Sequence, residues 1–194
     1  MMLEGGYQHN RIGVFCGARP GVDSRYTDFA ADFGAVLARR GAGLVYGAGG
    51  VGIMGALAAA ADAGGAAITG VIPHHLHERE RGTNVRGRIF IVRSMHARKA
   101  LMYRLSSGFA VLPGGFGTLD ELLEVATWNQ LGLHRKPLVL ANHNGFFDPL
   151  LVFLDHIVEE GFLAPAERTC IQVAADPEDA LDRLTGTAMT SGPA

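Results

Sequence analysis

Gly108-Phe109-Ala110-Val111-Leu112-Pro113-Gly114-Gly115-Phe116-Gly117-Thr118-Leu119-Asp120-Glu121-Leu122-Leu123 is the stretch that decides the fold. The apolar run Gly108–Leu112 reads as a strand covered on both faces, since no polar residue alternates with the apolar ones. It passes through a glycine-rich turn into a helix extending to about Leu131. Working outward, the same succession recurs. Arg11–Cys16 predicts a strand followed by a helix from about Asp23 to Arg40. Gly43–Tyr46 predicts a second strand, then a glycine-rich turn and a helix from about Gly50 to Ala63. Further strands are expected at Ala67–Ile72, Ile89–Val92, Pro137–Ala141 and Ile171–Ala174. Helices are expected at His96–Ser106 (read as amphipathic), Pro149–Glu159 and Glu178–Leu184.

Strands alternating with helices of this length predict right-handed βαβ units. The expected fold is therefore α/β, Rossmann-like and doubly wound, with a mostly parallel sheet of six to seven strands and helices on both faces. It fills residues 11–184 as one domain, with tails at 1–10 and 185–194. The 194 residues are 48% hydrophobic and 19% charged, enough apolar material for a sizeable core. A formal net charge of −2 argues against a general nucleic-acid coat. Two cysteines, Cys16 and Cys170, make neither a disulfide scaffold nor a four-thiolate zinc site. No apolar run reaches the roughly 20 residues that span a bilayer, and the first residues show no signal-peptide core. The expectation is a cytoplasmic protein without membrane or nucleic-acid partners.

Charge is uneven. His74–Arg104 carries eight Lys/Arg against two acids, Glu78 and Glu80, while the remainder is acidic. A basic segment in an acidic chain suits a small anionic ligand, although a solvated arginine-rich surface would look the same. In a doubly wound sheet such a ligand sits beyond the carboxyl ends of the strands. Two glycine-rich loops fall there. Gly47–Gly55 contains G-x-G-x-x-G at Gly47, Gly49 and Gly52, yet Ile68–His77 supplies no acidic residue for a ribose hydroxyl, which weakens a dinucleotide reading. Tight turning and close helix packing explain these glycines as well. In the second loop, Pro113–Thr118, successive glycines free backbone N–H groups at a helix N-terminus, the geometry of a phosphate cradle. No lysine precedes Thr118, so this is no Walker loop. Thr118 and Glu121 also match a capping box, with Thr as N-cap and Glu three residues on. Met95-His96-Ala97-Arg98-Lys99 opens the helix before this strand and brings Arg98 within reach.

At these residues the sequence resembles the LOG (Lonely Guy) family of cytokinin riboside 5′-monophosphate phosphoribohydrolases. Its P-G-G-x-G-T-x-x-E signature stands here as Pro113, Gly114, Gly115, Gly117, Thr118 and Glu121. Val14–Gly17, Gly47–Gly55, Met95–Lys99, Trp128–Gly132, Lys136-Pro137, Asn142 and Phe146–Leu151 continue the likeness, which spans roughly Gly13 to Phe162. Ala18, Ala97 and Phe146-Phe147 stand where the family often has Ser, Glu and tyrosines. The resemblance implies hydrolysis of the N-glycosidic bond of an N6-substituted AMP, or AMP itself, by a homodimer that uses no metal or organic cofactor. It implies catalytic roles for Arg98 and Glu121 and a 5′-phosphate held by Gly114, Gly115, Gly117 and Thr118. Gly17, Gly49, Gly50, Met95, Lys99 and Pro113 complete the implied substrate-binding set.

Other residues read more plainly. His74, His75 and His77 lack a second ligand cluster, Cys16 reads as a buried thiol, and Met95, Met102 and Trp128 read as packing residues. Two rival functions stand beside the hydrolase: a nucleotide-binding carrier, which needs the cradle without the Arg–Glu pair, and a pyridoxal phosphate lysine decarboxylase, which needs a Schiff-base lysine from Lys99 and Lys136 alone.

Overall fold

The strand β1 (Arg11–Phe15) is buried from Ile12 onward, as its unbroken apolar run requires. The computed structural model describes residues 10–78, 80 and 82–186. Of the expected tails at 1–10 and 185–194, residues 1–9 and 187–194 lie outside the described residues, as do Arg79 and Arg81 of the basic segment. β1 occupies the middle of a sheet completed by β2 (Gly43–Tyr46), β3 (Ile68–Pro73), β4 (Arg88–Val92), β5 (Gly108–Val111), β6 (Leu138–Ala141) and β7 (Ile171–Ala174). All seven strands are parallel, in the order β4-β3-β2-β1-β5-β6-β7. The chain winds outward from β1 to β4, then returns to lay β5 on the other side of β1. That reversal makes a topological switch point between β1 and β5, where diverging loops leave a crevice.

Two apolar layers fill the faces. On one, α1 (Arg25–Arg39), α2 (Gly52–Ala63) and α8 (Pro177–Thr185) cover Ile12, Val14, Leu44, Tyr46, Leu112 and Val139. On the other, α4 (Met95–Leu105), α5 (Phe116–Gln130) and α6 (Asp148–Glu159) cover Phe15, Val45, Phe109, Val111 and Leu140. The helix α1 buries Phe29, Ala30, Phe33, Val36 and Leu37 on one stripe. It lies close on α2 because a Cβ at Gly34 would overlap the Leu57 carbonyl oxygen.

Three local outcomes differ from the sequence reading. The helix α4 is not amphipathic in the expected sense: its buried residues are Arg98 and Met102, so a guanidinium occupies the inward position. Its start is fixed by the Ser94 hydroxyl, which accepts from the Ala97 amide at 3.1 Å. Short turns at α3 (His74–His77), His143–Gly145 and α7 (Pro165–Arg168) were not foreseen, being too brief to show a hydrophobic period. Thr185, expected in the tail, is the last residue of α8, and Gly186 ends the helix at φ 72.

Candidate active site

Strand β5 ends at Val111, and the chain then crosses toward β1. The Leu112 amide donates to the Phe15 carbonyl at 2.9 Å, and the Gly17 amide to the Pro113 carbonyl at 3.0 Å. These bonds clamp the two switch-point loops side by side. Gly115 is the extended N-cap of α5, and the helix begins at Phe116. The first-turn N–H groups of that helix therefore have no acceptor within it. Thr118 is inside the first turn and buried, with its hydroxyl against Gly114, where a Cβ would overlap it.

This corrects the capping-box expectation. No side chain caps α5, and Thr118 is a helical residue and not the N-cap. Glu121 is consequently set further along the helix and turned inward, 7% exposed. Facing it is Arg98 from α4, also 7% exposed, with Nη2 3.7 Å from Glu121 Oε1. The separation gives attraction without a hydrogen bond. Burial pushes the Glu121 carboxyl up to about 7; the Arg98 and Lys99 charges oppose that shift, while those of Asp120 and Glu124 add to it. Arg98 Nη1 is 3.9 Å from Met95 Sδ, and Nε has no partner. Most donors of this guanidinium are thus unspent.

The pair faces a cavity of about 660 Å³ at the carboxyl ends of β1 and β5. Of the residues singled out in the sequence, Gly17, Met95, Arg98, Pro113, Gly114, Gly115, Gly117, Thr118 and Glu121 line it. Gly49, Gly50 and Lys99 do not. Gly49 packs on Met54, and the Gly50 amide donates to Glu80 Oε2 at 3.1 Å. Lys99 Nζ is paired with Asp120 at 3.0 Å and Glu124 at 3.1 Å. The Gly17 amide is spent on Pro113, so only the surface of that residue is offered. Met95 lines the cavity and is 37% exposed, unlike Met102, which is core as expected. Trp128 stands edge-on to Tyr103, away from the cavity. Cys16 lines the floor; burial raises its thiol pKa far above the usual range, so it is a neutral thiol there.

Sequence reasoning missed Arg19, Tyr26, Ile53, Met54 and Phe146, all of which line the cavity. Arg19 was findable, because it follows β1 by four residues at the carboxyl end where ligands bind. Tyr26 in α1 and Phe146 in the turn before α6 meet edge to face at 5.7 Å from segments far apart in sequence, a pairing no local pattern carries.

A parallel sheet with a buried arginine–glutamate pair lining a cavity at its switch point defines the class: a Rossmann-like α/β protein with a candidate active site between β1 and β5. A family model described as "Possible lysine decarboxylase" matches residues 54–184. A cytokinin riboside 5′-monophosphate phosphoribohydrolase of Arabidopsis thaliana is 45% identical over 174 residues, covering 90% of this chain and 81% of that protein. One from Oryza sativa subsp. japonica is 48% identical over 161 residues, covering 83% and 66%. The chain belongs to this LOG family. Solved structures with the same fold include the Moco carrier protein of Chlamydomonas reinhardtii (18% identity, TM-score 0.67, 91% of this chain and 96% of that one). The molybdenum cofactor binding protein of Rippkaea orientalis is similar (20%, 0.66, 93% and 98%).

The decarboxylase description does not fit the lysines. Neither Lys99 nor Lys136 lines the cavity. Lys136 Nζ donates to the Tyr103 carbonyl at 2.7 Å and lies 4.0 Å over the Tyr103 ring. Neither lysine amine is presented to this cavity for a Schiff base with pyridoxal phosphate.

Proposed function

We propose that the protein hydrolyses the N-glycosidic bond of a nucleoside 5′-monophosphate, N6-substituted AMP or AMP itself, to the free base and ribose 5-phosphate. The observation that carries this reading is the buried Arg98–Glu121 pair, 3.7 Å apart, beside the open N-terminus of α5. The activity named for its relatives supports it. The 5′-phosphate is received by the turn at Gly114, Gly115 and Gly117 with Thr118, where the helix dipole and unpaired amides favour an anion. That remote grip positions the ribose over Glu121. As the C1′–N9 bond breaks, positive charge grows on the ribose and negative charge on the purine. Ionised Glu121 stabilises the ring cation and takes one proton from water, whose oxygen bonds to C1′; the proton passes to the departing base. The unspent donors of Arg98 orient the nucleotide and offset the developing negative charge. The step as written draws on no metal or organic cofactor.

The protein works as a homodimer in this reading. Leu123 and Phe162 are exposed beside Ala126 and Ile157 in a shallow groove between α5 and α6, an apolar surface suited to a second copy. No described helix is long and apolar enough to cross a membrane. We place the activity in the cytoplasm, with its nucleotide substrates.

Chromatographic assay of base release from AMP, isopentenyl-AMP and the unphosphorylated riboside tests the reaction. Release from the monophosphates is expected, with the riboside slower by at least about 100-fold because its phosphate grip is lost. No base from any of the three leaves a binding protein and ends the hydrolase reading.

A further inference from the structure

The loop Gly47–Gly55 holds a G-x-G-x-x-G that the proposed chemistry does not use. One of its amides is already engaged: the Gly50 amide donates to Glu80 Oε2 at 3.1 Å, and the same oxygen accepts from the Thr83 hydroxyl at 2.9 Å. At Gly47, a Cβ would overlap Nη2 of Arg98 and stand 3.0 Å from its Cζ. Directly after it, Ala48 is held at φ 56, a left-handed conformation that is costly outside glycine. A guanidinium is ordinarily fixed by bidentate hydrogen bonds. Arg98 has none. Its nearest carboxylate is 3.7 Å away, its Nε has no partner, and yet it is buried. Shape must therefore fix what hydrogen bonds do not.

We infer that Gly47 is a positioning residue: its missing side chain is the seat on which the Arg98 guanidinium packs, and it sets that group against Glu121 and the bound nucleotide. The first glycine-rich loop thus serves an arginine of the protein and not the phosphates of a dinucleotide. The inference rests on the role of Arg98 in the proposed hydrolysis.

Gly47→Ala tests it. The overlap is with the far end of a flexible side chain, and Gly47 is outside the left-handed region, so the variant folds and the guanidinium yields. Base release from AMP falls about 100-fold, the scale of an ångström-sized misplacement. In an Arg98→Ala background the added methyl meets no guanidinium, and residual turnover and calorimetric AMP affinity change less than about 2-fold. An equal loss in both backgrounds overturns the inference, because contact with substrate or general loosening would act without Arg98. Crystal structures of wild type and Gly47→Ala read the position directly. A guanidinium displaced by about 1 Å or more supports the seat, and one left in place overturns it. A wild type inactive on AMP would sink the hydrolase assignment, while the crystallographic comparison still decides the seat.

Discussion

The two glycine-rich loops are alike in composition and opposite in use. In Gly47–Gly55 the glycines are filled in by the protein itself. Gly47 faces Arg98, Gly49 faces Met54, Gly50 faces Thr83, Gly52 faces the Ala18 carbonyl, and a Cβ at Gly55 would stand 2.7 Å from the Gly50 carbonyl oxygen. In Pro113–Thr118, Gly114 is closed against Thr118 and Gly17, but a Cβ at Gly115 or Gly117 would meet nothing within 4 Å. The first loop uses glycine to bring parts of the protein together; the second uses it to leave a space. An unoccupied volume at a helix N-terminus, beside a buried acid–guanidinium pair, is what a ligand requires. Glycine content alone does not distinguish a cradle from a joint.

Three substitutions probe this contrast, from the largest expected effect to the smallest. Glu121→Gln, at the edge of the open loop, should lower turnover on AMP about 10⁴-fold, or roughly 5 kcal/mol of barrier. The same change should stabilise the protein at neutral pH. The native carboxyl titrates at about 7 against an ordinary value of 4.5, so the native state holds this proton more tightly than the unfolded chain does. That contribution is complete below about pH 4 and lost as pH rises through 7, on the order of 3 kcal/mol. Thermal unfolding from pH 4 to 8 should show the decline in wild type and a flatter curve in Glu121→Gln. Wild-type kcat/KM should rise as Glu121 ionises near pH 7. Near-normal turnover in the glutamine variant would remove the carboxylate from the chemistry.

Gly117→Asp puts a carboxylate into the open loop, at a position where the added Cβ meets no protein atom within 4 Å. Its melting temperature should stay within about 2 °C of wild type, while kcat/KM for AMP falls about 10³-fold, equivalent to roughly 4 kcal/mol. An unaffected kcat/KM would mean that the phosphate is held elsewhere. Gly52→Ala makes the reverse case in the closed loop. Gly52 has φ 60, and the new methyl would overlap the Ala18 carbonyl, so urea unfolding should show a loss of about 3 kcal/mol. Unchanged stability there would erase the distinction between the loops.

The two loops also mark where sequence reasoning succeeded and where it stopped. Pro113–Glu121 was legible because its strand, turn and helix are contiguous, so motif and position coincide. There the competing capping-box reading of Thr118 and Glu121 fails. Thr118 and Glu121 satisfy a local capping pattern, but Gly115 takes the cap and both side chains turn into the switch-point crevice. At Arg98 a charged residue fills an inward helical position that pattern reading assigns to apolar side chains, since only the cavity opposite makes it tolerable. Lys99, next to it, was grouped with the site and in fact pairs with Asp120 and Glu124. One residue along a helix turns a side chain by about 100°.

By itself the sequence determined the α/β class and the parallel winding and pointed to Arg98 and Glu121, because alternating apolar runs, contiguous motifs and chain order are local properties. Only the tertiary structure decided that β5 returns beside β1, that Tyr26 and Phe146 wall the same cavity, and that one glycine loop is open and the other filled. Those outcomes depend on which distant atoms occupy a given volume, and no short stretch of chain carries that information.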